Sequence, residues 1–470
     1  MPMRKPDSPF RPSTLALALA LALAGCAVGP TYQRPEVVTP VAFKEGRGEW
    51  IRAAPADTLE RGPWWALFDD AILNDLASQV EVSNQNIAAA VARYAQARAL
   101  VAEQRAALFP TVTLDPSVNR SGGRGSTGSR TSYQVNIGAS WEPDVWGRLG
   151  RTVSAARAGE QASAADLQAA RLSAQGELAS DYFNLRELDA QIALQEQTII
   201  GFESSYKIAQ NRYNAGIAAR TDLLQAETQL TNARADLLGF ERQRATLEHA
   251  IAVLVGQAPA NFALESRPAW EGSVPDVPLE LPSTLLQRRP DIAAAERRAA
   301  QANEQIGIAQ AAYYPSLRLS GSAGLGAATI GDLFSASALV WSLGASVAQT
   351  LFNAGATTAR VEGARAGLDE AAARYRQTVL EAFQQVEDQL VAARILQQQL
   401  VLRQQAAQAA NLVEQQVLNR YKAGQVSFTE VVTAQITAQN ARSAVARALS
   451  DRQVAAVALI QALGGGWRGI

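Results

Sequence analysis

The stretch RYNAGIAARTDLLQAETQLTNAR, Arg212 to Arg234, returns 208 residues later as RYKAGQVSFTEVVTAQITAQNAR, Arg420 to Arg442, without a gap and with nine of 23 positions identical. Close replacements fill several of the others: Asp222 stands opposite Glu430, and Leu223-Leu224 opposite Val431-Val432. Each copy reads as the tip of a helical hairpin. Gly216 and Gly424 supply a backbone free to turn where one helix must stop. Thr221 and Thr429 are placed to N-cap the outgoing helix, each followed by an acidic residue at that helix's positive end.

The helices on either side are very long. No proline occurs from about Leu149 to Tyr213, and Leu178, Leu185, Ile192, Ile199, Tyr206 and Tyr213 recur every seven residues. That is coiled-coil spacing, and at 1.5 Å per residue such a helix reaches roughly 95 Å. The return helix keeps the register through Leu223, Leu230 and Leu237, is interrupted by Arg244, and resumes at Ile251. Val431, Ala438, Val445, Arg452 and Leu459 repeat that series, interrupting arginine included.

The duplication extends upstream. Residues 87–110 match 292–315 at an offset of 205 with 11 identities, after an opening RPDIAAAE in the second copy. The first copy of this helix is expected over about 70–108, ending at Phe109-Pro110 because proline disfavours helix in the residue before it. A strand pair follows in each half. Tyr133, Val135, Ile137, Ala139 and Trp141 alternate, with Val112 and Leu114 opening the partner strand. Leu317 to Leu325 and Leu339 to Val347 alternate in the second half. Trp141 and Trp146 read either as a membrane-interface girdle or as core residues.

These signals divide the chain into a signal peptide (1–25), a lipidated extended arm (26–69), a first repeat (70–256), a Pro-rich linker (257–282), a second repeat (283–463) and a tail (464–470). Within the repeats the strand pairs fall at 110–142 and 315–349, and the hairpins at 149–256 and 356–463. The address is written in the first segment. Arg4, Lys5 and Arg11 precede an apolar run too short for the roughly 20 residues that a spanning helix needs. The run ends in Leu23-Ala24-Gly25-Cys26, which resembles a lipobox, and Cys26 is the only cysteine. N-palmitoyl and S-diacylglycerol groups on Cys26 are therefore expected, with no other cofactor.

Composition excludes several function classes. A net charge of −1 offers no basic surface for nucleic acid. The one histidine, His249, lies mid-helix without a partner at metal spacing, and no phosphate-binding glycine loop or nucleophile elbow is present. An enzyme is not the reading. Four strands with one apolar face cannot close, and lipid does not tolerate open sheet edges. Three copies would supply twelve strands. The fold class that results is mainly α with membrane β, a tandem-duplicated chain in which three copies would give a twelve-strand membrane barrel continued by a long α-helical conduit. An outer-membrane place for the barrel and a periplasmic one for the helices are what the family resemblance below implies.

RPDIAAAE, the Trp64-Trp65-x-x-Phe68 entry, Asn86 to Arg98 and both RYxAG turns resemble the outer-membrane efflux factor family, and the lipobox resembles its TolC/OprM/NodT-like lipoprotein branch. The resemblance covers essentially the whole mature chain. It implies a homotrimer that serves as a passive exit duct for drugs or other toxic compounds, fed by an inner-membrane pump through a periplasmic adaptor. It puts the adaptor-contacting tips at Arg212, Tyr213, Gly216, Thr221, Arg420, Gly424 and Thr429. By the same resemblance Asp222 and Tyr421 link neighbouring hairpins in the closed entrance, and Glu430 faces the pore. Helix capping alone also accounts for Asp222 and Glu430. An elongated periplasmic adaptor with a lipid anchor, or an outer-membrane channel for dedicated secretion, are the alternatives.

Overall fold

The computed structural model describes residues 27–40, 43–45, 63–122, 129–269, 273–275 and 289–465. Cys26, the segment read as a signal peptide, much of the Pro-rich linker and the end of the tail lie outside them. The elements are α1 (Ala71–Ser83), α2 (Gln85–Ala106), β1 (Thr111–Ser121), β2 (Arg130–Trp141), α3 (Arg148–Asn214), α4 (Arg220–Leu254), α5 (Pro290–Ala311), β3 (Ser316–Ala327), β4 (Leu339–Ala348), α6 (Ala356–Lys422) and α7 (Phe428–Ala462). The duplication is visible in the lengths: α3 and α6 each have 67 residues, and α4 and α7 each have 35. Among the described residues no helix is long and apolar enough to cross a membrane.

One expected helix is two. Asn84 leaves the helical region at ψ 123 and separates α1 from α2. Its Oδ1 accepts the N–H groups of Asn86 and Ile87, capping α2, while its Nδ2 donates to the Leu254 carbonyl at 2.8 Å. Asparagine competes with the helix for its own backbone groups, and here tertiary packing rewards the break.

The chain forms two compact units. The first contains Arg93–Ala164, Ala294–Arg376 and the arm up to Glu36. All four strands lie in it, as one antiparallel sheet in the order β1-β2-β3-β4. The arm is pinned beside the sheet's ends. The Val28 N–H donates to the Trp146 carbonyl, and the Trp146 indole donates to the carbonyl of Pro315, the residue before β3. Trp146 also stacks on Tyr314, so it is a packing residue in the turn after β2 and not a member of the strand. Trp141 stays partly exposed, its indole N–H on the Leu108 carbonyl. Close approach matters here: a Cβ on Gly29 would come within 2.6 Å of Gly307 Cα.

The second unit contains Val37–Ala92, Ala165–Ala293 and the chain from Gln377 onward. Leu178 and Leu185 of the heptad series are fully buried, together with Tyr182 and Phe183. Arg244, which interrupts the same series, has a specific partner. It donates from Nε to Asp189 at 2.7 Å and from a terminal nitrogen to the Leu264 carbonyl at 2.6 Å. Arg186, fully buried, donates to the other Asp189 oxygen at 2.6 Å and to the Glu265 carbonyl. The Arg267 N–H adds a third donor to Asp189. Two arginines and one carboxylate thus fasten the start of the linker to the first repeat. Arg394, the counterpart of Arg186 one repeat later, holds Glu45 of the arm instead, while Glu387 accepts the Lys44 and Glu45 N–H groups.

Removing a buried carboxylate that neutralises two guanidiniums leaves charge without compensation, at about 3–5 kcal/mol. Asp189→Ala is therefore expected to lower the thermal midpoint of the assembled protein markedly and to open the Leu264–Arg267 segment to limited proteolysis. Arg452→Ala, at the counterpart of Arg244, is expected to have a small effect on that segment.

Candidate functional site

Two features present themselves as functional: a face of the sheet and the pair of hairpin tips. Residues paired across an antiparallel ladder point to the same side. The register pairs Val112 with Ala139, Leu114 with Ile137 and Val118 with Tyr133. It continues with Val135–Leu325, Ile137–Ala323 and Trp141–Leu319, then Leu319–Ala345, Gly321–Leu343 and Ala323–Trp341. Every apolar member of the four alternating series therefore lies on one face. That face is open: Leu114 is 64% exposed, Trp341 68% and Leu343 82%. The opposite face carries Thr113, Asp115, Gln134, Asn136, Ser320, Ser322 and Ser342. An apolar face this large on one side and a polar face on the other is the pattern of a wall between lipid and water. The strands have 10 to 12 residues, close to the 9–11 that a tilted strand needs to cross a bilayer.

Below the strand ends, Phe109, Tyr313, Tyr314, Leu351 and Phe352 are all exposed, the last at 88%. Such residues suit the membrane–water boundary. None of these five belongs to an alternating series, so no periodic signal in the sequence marks them as it marks Trp141.

At the tips both turns have the same construction. Gly216 (φ 73°) and Gly424 (φ 76°) occupy the left-handed region, with nothing near the place of a Cβ, so backbone conformation alone demands glycine. The Ile217 and Gln425 N–H groups reach back to the carbonyls of Arg212 and Arg420 at 2.9 Å, closing a Schellman motif in each copy. The outgoing helices begin earlier than expected. Ala219 and Ser427 are the N-caps, extended in backbone, so Thr221 and Thr429 lie two residues further on, inside the first turn, and cap nothing. Ala219 has no oxygen to offer. Ser427 forms a full capping box with Glu430, whose carboxylate accepts the Ser427 N–H at 3.2 Å. Glu430 is exposed and Asp222 half-buried.

The two tips of one chain are packed together. Ala209 and Ala226 from the first hairpin form one core cluster with Tyr421, Phe428 and Val431 from the second. Tyr421 is 2% exposed, whereas its counterpart Tyr213 is 40% exposed. Arg212 donates to the Tyr421 carbonyl at 3.0 Å and sets its guanidinium over the Tyr421 ring, 4.9 Å from the centroid. Burial pushes the Tyr421 phenol up from its ordinary pKa; the Arg212 cation opposes this and the Asp222 carboxylate adds to it. Asp222 and Tyr421 are thus in electrostatic range within one chain, without a hydrogen bond between them. Arg212 entered the sequence reading only as a surface contact, since nothing in an RYxAG pattern shows which arginine reaches across.

His249 is exposed on α4. Among the described residues no group of three or more His, Cys, Asp or Glu side chains is placed to hold a metal.

The outer membrane efflux protein family model matches residues 76–257 and 281–465, one match for each repeat. The chain is 28% identical over 455 residues to the cation efflux system protein CusC of Escherichia coli O6:H1, covering 97% of this chain and 98% of that protein. It is 31% identical over 476 residues to the outer membrane protein OprJ of Pseudomonas aeruginosa, covering 99% and 97%. Among solved structures, the outer-membrane channel OprN superposes with a TM-score of 0.84 at 30% identity, covering 94% of this chain and all of that one.

Ser427→Ala removes the one side-chain cap at the tips and is expected to cost about 1 kcal/mol of local stability. Thr429→Ala removes no cap and is expected to cost much less. Amide hydrogen exchange in the first turn of α7 checks both, with protection falling in the first variant only.

Proposed function

Because this chain belongs to the outer membrane efflux protein family, we propose that three copies close their sheets into a twelve-strand barrel that is the outer-membrane exit of an efflux system. The family's description is that of an outer membrane efflux protein, which supports transport of small molecules as the role and not a reaction. The observation that carries the trimer is the single apolar face shared by β1 to β4, bounded by two edges that have no partner among the described residues. Twelve strands lie within the range of known bacterial barrels, and four lie below it. A long α-helical barrel then continues the conduit across the periplasm. An adaptor and an inner-membrane pump supply its cargo. The cargo follows from the pump, and the polar sheet face, with Asp115 and Arg318 among serines, threonine, asparagine and glutamine, is the generic wall of a duct in this reading.

Cys26 is the lipid anchor in this reading. It is covalently next to Ala27, which packs on Gly147 at the foot of β2. The hairpin tips are the periplasmic entrance. Arg212, Tyr213, Gly216, Thr221, Arg420, Gly424 and Thr429 face the adaptor, Asp222 and Tyr421 hold the entrance closed, and Glu430 forms a ring of three carboxylates that favours cations. Family membership sets aside the elongated-adaptor alternative, which does not explain a duplicated strand pair.

Purified in detergent, the protein is expected as a trimer of about 150 kDa of polypeptide, three times 50.0 kDa, and as a conducting pore in planar bilayers. Cys26→Ser is expected to abolish incorporation of labelled palmitate and to leave the trimer and its conductance intact. A stable detergent-free monomer, or a trimer that does not conduct, contradicts the proposal.

A further inference from the structure

Tyr421 sits at the C-terminal end of α6, where its counterpart Tyr213 on α3 is exposed. Arg212 accounts for the difference. It crosses from the first hairpin, places its cation on the ring face, and donates to a carbonyl at the negative end of a 67-residue helix. Both contacts favour a guanidinium over any neutral group. Arg420, the repeat counterpart of Arg212, is exposed. The arrangement therefore occurs on one side of the duplication only.

This packing leaves two loose ends. The Tyr421 hydroxyl and Arg212 Nε are both buried, and neither has a hydrogen-bond partner. Buried donors without acceptors are costly, and two in one contact pair call for a common acceptor. One donor is neutral and one is cationic, which selects a carboxylate. Asp222 supplies one in the first turn of α4, half-buried and with no hydrogen-bond or ion-pair partner for its side chain among the described residues.

We propose that Arg212 is the residue that positions Tyr421 in the closed tip, and that Arg212 Nε and the Tyr421 hydroxyl together form a two-donor receptor for the Asp222 carboxylate. The inference rests on the tips being the entrance gate. It adds a staple between the two hairpins of one protomer, three in the assembly. Opening then has to withdraw the carboxylate from two donors at once. A lysine at position 212 keeps the charge but has no planar fork, so it can hold the ring or the carboxylate and not both.

The test is single-channel conductance in planar bilayers, with Tyr421→Phe and Asp222→Ala as references and Lys422→Ala as the control on an exposed cation of the same tip. Arg212→Leu is expected to raise the closed-state conductance by the same factor as Tyr421→Phe. The Arg212→Leu/Tyr421→Phe double variant is expected to leak no more than the leakier single one, because residues acting through one receptor are non-additive. Arg212→Lys is expected to fall between wild type and Arg212→Leu, and it tests the point if Arg212→Leu fails to assemble. Lys422→Ala should match wild type. Tight closure in Arg212→Leu and Arg212→Lys, beside leaking Tyr421→Phe or Asp222→Ala channels, overturns the receptor and leaves the gate standing. Unchanged conductance in Tyr421→Phe and Asp222→Ala themselves overturns the gate, and the receptor with it.

Discussion

The structure depends on what happens to the free backbone groups along β1 and β4. Among the described residues each of these strands is paired on one side only, β1 with β2 and β4 with β3. In water such edges hydrogen-bond to solvent. Beside an apolar face as exposed as that of Leu114, Ile137, Trp341 and Leu343, water is the wrong surrounding. In lipid every unpaired N–H and C=O costs several kcal/mol. The sheet is stable in a membrane only if one copy's β1 meets another copy's β4. In the trimer proposed above, oligomerisation would be a condition for folding the membrane part, and symmetry would set three copies of every other element around one axis.

Duplication supplied the elements, and departures from it supplied the specific functions. The turns at Gly216 and Gly424 are alike to a tenth of an ångström in their closing bonds. Around them the copies diverge. Position 427 holds a capping serine where position 219 holds alanine. Arg186 grips the linker and Arg394 the arm, so each repeat uses an equivalent arginine to secure a different unrepeated segment. Tyr421 is buried under Arg212 while Tyr213 and Arg420 face outward. The gate proposed above needs a unique contact on each protomer, and the loss of internal symmetry would provide one.

Periodic features were legible in the sequence. Heptads at Leu178 and Leu185, alternation from Tyr133 to Trp141, and glycines at 216 and 424 each express a local geometric need, and local needs repeat. Singular features were not legible. Asn84 looks like any polar helix residue until its amide meets the Leu254 carbonyl 170 residues away. Arg244 reads as a defect in a heptad until Asp189 and Leu264 are placed beside it. Thr221 and Thr429 carried the right chemistry for caps and sat two positions too late, since the Schellman turn is shorter than the spacing implied. The apolar face itself required the register, because alternation within one strand does not say which side of the next strand it joins.

The central claim is edge pairing between copies, and disulfide trapping tests it most directly. In a Cys26→Ser background, single cysteines are introduced in β1 at positions 112–118 and combined with single cysteines in β4 at positions 339–347. Within one chain these strands are three sheet spacings apart, about 14 Å, and a disulfide requires Cα atoms within about 7 Å. An intrachain bond is thus excluded by geometry. The account expects one register in which oxidation of outer-membrane fractions gives covalent trimers on non-reducing gels. Oxidation that yields only monomers at every register, in membranes where the protein is assembled, would contradict it.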